Sequence, residues 1–283
     1  MNVRSLLFTL TFLMSSSALS AKVLIWDIGD VLFEKSTFGY MKSIGLSHLL
    51  EHILFDWKNP WKLETRFFEV VSQLECEPVP EGIHLRNARG VLLPPIMSHW
   101  QAGTLSSEEI INRAHTKIEV LAEQGTFFAS HREKELIKKA VAAVFNPHTL
   151  AHNMRPIRAG IRLLEQCATE INPDGTPRNK LIALSNWDPF SFEILHELNR
   201  DVFGFFDDIL ISGRTGFIKP RKAAFQYLVD LHKLNPTECL FIDDREENLE
   251  AAEALGFNTF HLQRGNYREL RQVLLDFGAL LGA

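Results

Sequence analysis

The sequence predicts an α/β protein built on a parallel sheet, with a helical segment inserted after the first strand. The first observation is the stretch from Lys22 to Phe33, where an apolar run leads into Asp27 and then into a glycine turn. Such a run is typical of a strand buried on both faces. The second observation is the alternation of strand-like and helix-like segments from Arg155 onward. Repeated units of this kind indicate right-handed crossovers and a parallel sheet.

The composition is that of an ordinary globular protein. The chain has 283 residues, of which 46% are hydrophobic and 23% charged, and its formal net charge is -5. This length allows one large domain or a domain with a substantial insertion. The charge provides no basic surface for nucleic acid, so we expect no nucleic-acid partner.

The first 21 residues differ in kind from the rest. Arg4 precedes a short apolar run, and small residues follow as far as Ala21. This pattern is typical of a secretory signal peptide, and the run is too short to span a bilayer comfortably. We therefore expect an exported protein, periplasmic or secreted, with no stable membrane span after cleavage. The alternative is an uncleaved anchor or a mis-assigned start.

Helical periodicity dominates between Glu34 and Asn153, with breaks at proline-containing segments and a helix start at Ser106 or Ser107. We interpret residues 35–153 as an all-helical insertion, and residues 22–34 with 154–283 as the α/β core. Within the core, the later strands are predicted at 180–186, 206–212, 238–242 and 258–262, and a helix at 156–170.

Four strand ends carry chemically active groups. They are Asp27, Ser185 with Asn186, Lys219 just beyond its strand, and Asp243 with Asp244. In a parallel sheet these ends open on one edge, so the groups converge. Three carboxylates would repel one another, and a hard cation such as Mg²⁺ would relieve the repulsion. A hydroxyl, backbone amides and an ammonium suit a phosphoryl group.

These motifs, in this order, resemble the four motifs of the haloacid dehalogenase (HAD) superfamily. The matching segments are Asp27-Ile28-Gly29-Asp30-Val31, Leu184-Ser185-Asn186, Lys219-Pro220 and Phe241-Ile242-Asp243-Asp244. The run from Phe241 to Asn248 is similar to sugar-phosphate phosphatases and to phosphatase domains associated with epoxide hydrolases. The helical insertion has the position of that subgroup's cap. The resemblance implies a Rossmann-like core, a helical cap and hydrolysis of a small phosphomonoester.

The resemblance also implies roles for individual residues. Asp27 would be the nucleophile that forms an aspartyl-phosphate, and Lys219 would neutralise it and the developing charge. Ser185 and the backbone amide of Asn186 would hold the phosphoryl oxygens. The implied magnesium ligands are Asp27, Gly29 through its carbonyl, Asp243 and Asp244, with Asn248 supporting the last two.

Gly29 departs from the family pattern. The family's phosphatases usually carry a second aspartate at this position, which protonates the leaving oxygen and later activates water. Such a group typically contributes a factor of about 10² to 10⁴ in rate. Gly29 therefore leaves open an alternative to a phosphatase, a non-catalytic domain that binds a phosphorylated ligand or a protein partner. A third possibility, independent of Gly29, is a dehalogenase that uses the same aspartate on carbon. Dehalogenation needs no metal, so the Asp243-Asp244 pair disfavours it.

The signal-peptide pattern makes a testable prediction. We expect the mature protein to begin near Ala21 or Lys22, because small residues precede this point as cleavage requires. Mass spectrometry of the protein isolated from its native cell would measure the amino terminus. An intact terminus at Met1 would contradict the prediction.

Overall fold

The fold is given by a computed structural model that describes residues 21–45, 61–79, 85–86, 91–263 and 265–282. In these ranges the strands are β1 (Lys22–Trp26), β2 (Phe33–Lys35), β3 (Met154–Pro156), β4 (Asn179–Ser185), β5 (Asp208–Ile211), β6 (Cys239–Asp243) and β7 (Asn258–His261). Five of them form a sheet in the order β5-β4-β1-β6-β7, and every neighbouring pair is parallel. The predicted parallel α/β sheet is confirmed.

Helices fill most of the remaining described chain. They are α1 (Thr37–Ile44), α2 (Trp61–Val71), α3 (Pro95–Gln101), α4 (Ser107–Glu123), α5 (His131–Phe145), α6 (Pro147–His152), α7 (Arg158–Thr169), α8 (Pro189–Leu198), α9 (Arg200–Phe203), α10 (Ser212–Thr215), α11 (Lys222–His232), α12 (Glu246–Glu253) and α13 (Tyr267–Asp276). The first six lie between β2 and β3, within the segment predicted as a helical insertion. The exact domain boundaries remain a prediction.

The first strand is the middle of the sheet and is buried on both faces. Leu24, Ile25 and Trp26 are completely inaccessible to solvent. Because side chains alternate along a strand, Ile25 joins one hydrophobic cluster, whereas Leu24 and Trp26 join another on the opposite face. This two-sided burial explains why the sequence of β1 is a continuous apolar run.

A short antiparallel ribbon closes the helical insertion, and the sequence did not predict it. In β2 and β3, Phe33 pairs with Pro156 and Lys35 pairs with Met154. The helix predicted from Pro156 begins instead at Arg158. The physical reason is that Pro156 is the last residue of β3 and Ile157 is still extended, with its N–H donating to the Leu32 carbonyl, so the helix cannot begin before Arg158.

The helical segment has its own apolar interior. Ser106, one of the two predicted capping residues, accepts a hydrogen bond from the backbone N–H of Glu109 and starts α4. Helices α4 and α5 pack against each other through buried residues, which are Ile110, Ala114, Ile118, Leu121, Leu136, Ile137, Ala140 and Val141. This packing joins the main apolar cluster of the core, so the two parts share buried surface.

Residues 1–20 of the predicted signal peptide lie outside the described ranges. Among the helices that are described, none combines the length and the apolar character needed to cross a membrane.

Gly160 sets how closely α7 approaches the turn that follows β1. A Cβ atom at Gly160 would lie 2.6 Å from the carbonyl oxygen of Val31, which also accepts a 2.8 Å hydrogen bond from the Tyr267 hydroxyl. Alanine has the better helix propensity, by about 1 kcal/mol. A contact this short nevertheless forces the helix or the turn to move.

We therefore expect Gly160→Ala to lower the free energy of unfolding by about 1–3 kcal/mol, as overpacking does in other cores. Chemical denaturation would measure the change. Ala159→Ser, an exposed substitution on the same helix, is the control and should have little effect. An unchanged or increased stability of Gly160→Ala would contradict the prediction.

Candidate active site

The strands at the centre of the sheet deliver the predicted site residues to one edge. Asp27 directly follows β1, Ser185 ends β4 and Asp243 ends β6, and β1 lies between the other two. All three strands are parallel, so their carboxyl ends open on the same side. Each of the three side chains is almost completely buried, with at most 7% of its residue surface exposed.

Lys219 joins two of these strand ends. Its ammonium donates to Asp27 Oδ1 at 2.9 Å, to Asp243 Oδ2 at 2.7 Å and to the carbonyl oxygen of Leu184 at 2.7 Å. The residue is only 2% exposed. Burial by itself would lower the pKa of Lys219, but the Asp243 and Asp27 carboxylates outweigh it and raise the pKa. The buried ammonium therefore stays charged and uses all three of its protons.

Asn186 brings Lys219 into this position. The Asn186 side chain donates to the Lys219 carbonyl and accepts from the Lys219 N–H, both at 2.8 Å. These two bonds fix the backbone of a loop residue 33 positions away along the chain. From the sequence, Asn186 was expected to act only through its backbone amide. The side-chain role was missed because no local pattern links residues so far apart.

Asp243 is held by groups from the start of α12. Asn248 donates to both of its carboxylate oxygens, at 2.9 and 3.0 Å, and the Arg245 N–H donates to Oδ1 at 2.8 Å. Burial raises the pKa of Asp243 to about 6. The predicted supporting position of Asn248 agrees with these contacts.

The three carboxylates fit a hard divalent cation. Asp27, Asp243 and Asp244 each offer an oxygen, and these oxygens lie within 4.8 Å of one another. Burial raises the pKa of Asp244 to about 8, and the Asp27 and Asp243 carboxylates add to the effect. Lys219 compensates only part of this negative charge. An all-oxygen donor set with excess negative charge is what Mg²⁺ prefers.

Arg245 connects this cluster to the helical insertion. Its Nε lies 3.2 Å from Asp244 Oδ2, and its Nη1 donates to the Arg86 carbonyl at 2.8 Å. One guanidinium therefore contacts both a candidate metal ligand and the segment between α2 and α3. No sequence pattern indicates this role of Arg245, since only the tertiary structure places residue 86 beside it.

The position of Gly29 is open to a side chain. Its φ lies outside the left-handed region, and within the described part of the chain a Cβ built on it would meet only a Trp187 ring carbon at 3.7 Å and Asp27 Oδ2 at 4.0 Å. These are ordinary van der Waals distances. The next residue, Asp30, is exposed and has a φ of 56°, a conformation that aspartate tolerates better than most residues. The sequence analysis missed Trp187, because nothing local shows that it packs beside Gly29.

The structure thus brings together Asp27, Lys219, Asp243 and Asp244, and places Ser185, Asn186 and Gly29 at the same edge. The phosphoryl-binding roles of Ser185 and of the Asn186 amide remain predictions. That the Gly29 carbonyl contacts the metal also remains a prediction.

Part of the chain is similar in sequence to two known enzymes. Over 94 residues the chain is 31% identical to bifunctional epoxide hydrolase 2 of Rattus norvegicus, a match covering 32% of this chain and 17% of that protein. Over 99 residues it is 29% identical to D-ribitol-5-phosphate phosphatase of Bacteroides thetaiotaomicron, covering 33% of this chain and 48% of that protein. The chain therefore matches less than half the length of each of these curated relatives.

Solved structures agree in fold over most of the chain. A HAD family enzyme from Bacteroides thetaiotaomicron superimposes with a TM-score of 0.54 at 15% identity, covering 89% of this chain and 98% of that one. The wild-type form of that enzyme, solved in complex with magnesium and inorganic phosphate, gives a TM-score of 0.51 at 16% identity, covering 87% and 96%. At this level of identity the likeness shows a shared fold.

A family model settles the wider relationship. The model described as haloacid dehalogenase-like hydrolase matches residues 21–256, which is most of the chain. The sheet order, the converging strand ends and this match all agree with the resemblance read from the four sequence motifs. The chain belongs to the haloacid dehalogenase-like hydrolase family.

Proposed function

We propose that this hydrolase is a magnesium-dependent phosphomonoesterase that acts on a small phosphorylated metabolite through an aspartyl-phosphate. The observation that carries the proposal is the asymmetric environment of Asp27. Its Oδ1 is bound by the Lys219 ammonium, whereas Oδ2 accepts no hydrogen bond from the described part of the chain. One oxygen is thus held in place, and the other is free to attack.

In the proposed reaction, Asp27 Oδ2 attacks phosphorus in line with the ester oxygen. The new O–P bond forms as the ester P–O bond breaks, and the leaving oxygen takes its proton from solvent. Water then hydrolyses the aspartyl-phosphate and regenerates the carboxylate. Lys219 holds Asp27 and offsets the negative charge that develops nearby, while Ser185 and the Asn186 amide bind the phosphoryl oxygens.

The carboxylates of Asp27, Asp243 and Asp244, with the carbonyl of Gly29, would hold Mg²⁺. When bound, the ion would reduce the repulsion between the carboxylate nucleophile and the phosphoryl group. The related enzyme from Bacteroides thetaiotaomicron that was solved with magnesium and inorganic phosphate supports this proposal. The matched ribitol-phosphate phosphatase supports a small phosphorylated substrate.

One specific observation favours a second candidate, a domain that binds a phosphorylated ligand or a protein partner without catalysis. Gly29 supplies no acid or base beside Asp27. A dehalogenase is less favoured, because its chemistry does not need the acidic cluster of Asp243 and Asp244. Export, from the signal-peptide pattern of residues 1–21, remains part of the proposal.

We expect Asp27→Asn to abolish hydrolysis of phosphomonoesters, because the amide is a poor nucleophile. Phosphate should still bind, since the amide is nearly isosteric with the carboxylate. Steady-state kinetics over sugar, nucleotide and aryl phosphates, with calorimetry of inorganic phosphate binding, would measure both effects. Activity that survives this substitution would refute the mechanism.

Asp30→Asn is the matched control for this experiment. It makes the same chemical change three residues further along the chain, at an exposed position that already has a left-handed backbone. It should retain most of the wild-type activity. If phosphate binds to the wild-type protein but no phosphomonoester is turned over with magnesium present, the binding domain becomes the better description.

Magnesium should stabilise the folded protein, because it binds carboxylates that repel one another in its absence. A ligand at a hundred times its Kd stabilises by about 2.7 kcal/mol, so the melting temperature should rise on adding Mg²⁺ and fall with chelator. Asp244→Asn should show a smaller rise. Asp276→Asn, an exposed substitution on α13, should respond like the wild type. A melting temperature indifferent to both magnesium and chelator would remove the support for the metal site.

A further inference from the structure

The side chain of Trp187 lies next to Gly29, the position at which the resemblance to the family's phosphatases would place an acid. A Cβ atom on Gly29 would be 3.7 Å from the Trp187 ring and 4.0 Å from Asp27 Oδ2. The space beside Gly29 is therefore bordered both by the ring and by Asp27 Oδ2. In the sequence, Trp187 directly follows Ser185 and Asn186, the predicted phosphoryl-binding residues at the end of β4.

The indole is fixed in one orientation. Its Nε1 donates to the Ser191 hydroxyl at 2.9 Å, and Ser191 in turn donates to Asp188 through both its hydroxyl and its backbone N–H. The backbone N–H of Trp187 donates to the Ser212 hydroxyl at 3.0 Å. With an edge contact to the Phe192 ring and 7% exposure, the ring has little freedom to move. A rigid aromatic surface is a common device for binding flat groups.

This arrangement has two chemical consequences for a phosphate ester bound at Asp27. The indole edge beside Gly29 is made of carbon, so it has no proton to give to the leaving oxygen. A leaving group that is already stable as an anion does not need that proton. The same edge offers an apolar contact, which favours a flat and apolar leaving group over a hydrated one.

We infer that Trp187 contacts the leaving group and selects aryl phosphates, the esters of acidic aromatic hydroxyls. This inference rests on the proposed phosphomonoesterase function and names its substrate class. Trp187 acts here as a specificity-determining residue. Because Gly29 has no side chain, the aromatic ring can reach the leaving group.

The test compares kcat/KM for phenyl phosphate and cyclohexyl phosphate, which are similar in size but differ in flatness and leaving-group acidity. The wild type should prefer phenyl phosphate. Trp187→Leu should reduce this preference by about three- to tenfold, the range that corresponds to an aromatic pair. Trp187→Phe should keep most of it, because a ring remains.

Trp100→Leu is the matched control. Trp100 is 6% exposed, donates its Nε1 to the Ser107 hydroxyl at 3.0 Å and packs on Phe145 within the helical segment. The Trp100→Leu variant should lower the melting temperature as Trp187→Leu does, without changing the preference for phenyl over cyclohexyl phosphate. An equal change in both leucine variants would show a general effect of lost packing and would overturn the inference.

Gly29→Asp tests the same idea if Trp187→Leu does not fold. An aspartate fits at ordinary contact distance from the ring and supplies an acid, so it should accelerate cyclohexyl phosphate more than phenyl phosphate. A preference unchanged in both Trp187→Leu and Gly29→Asp, with activity still dependent on Asp27, would overturn the inference and leave the phosphomonoesterase intact. No turnover of either ester would overturn both.

Discussion

The buried ammonium of Lys219 is the interaction on which the rest of the site depends. Two carboxylates from neighbouring strand ends, Asp27 and Asp243, approach each other at the centre of a sheet, and Lys219 bonds to both. Burying an unpaired charge costs roughly several kcal/mol of free energy. Neither carboxylate could therefore remain ionised in this buried position without a partner. Asp244 adds negative charge that Lys219 does not balance. The carboxylates of Asp27, Asp243 and Asp244 still outnumber the two cations that contact them, Lys219 and Arg245, and this excess leaves a place for a further cation.

The Lys219 position is itself built by a loop rather than by a strand. The Asn186 side chain pairs with both backbone groups of Lys219, and so ties the end of β4 to a segment that follows α10. Through Lys219, Asn186 is thus connected to the carboxylate of Asp27. On the other side, the guanidinium of Arg245 lies between Asp244 and the Arg86 carbonyl of the helical segment. A polar side chain thus bridges distant segments on each side of the site: Asn186 on the side of Lys219, and Arg245 on the side of Asp244.

Gly29 and Trp187 lie side by side next to the predicted nucleophile. A glycine leaves the space beside Asp27 Oδ2 without an acid, and the indole ring borders that space at van der Waals distance. The ring is held by a chain of hydrogen bonds through Ser191 to Asp188 at the start of α8. In the proposed function, the missing acid and the aromatic surface would both affect the leaving group of the substrate.

The sequence by itself determined the parallel sheet and the identity of the acidic residues, because both follow from short-range patterns. A strand buried on both faces must be continuously apolar, and the polar residue that ends it must lie at the sheet edge. The β2–β3 ribbon, the Asn186–Lys219 pair, the Arg245 bridge and the Trp187 contact were decided only by the tertiary structure. Each joins residues that are distant in the chain, and their approach depends on how packed elements orient side chains, which local patterns do not encode.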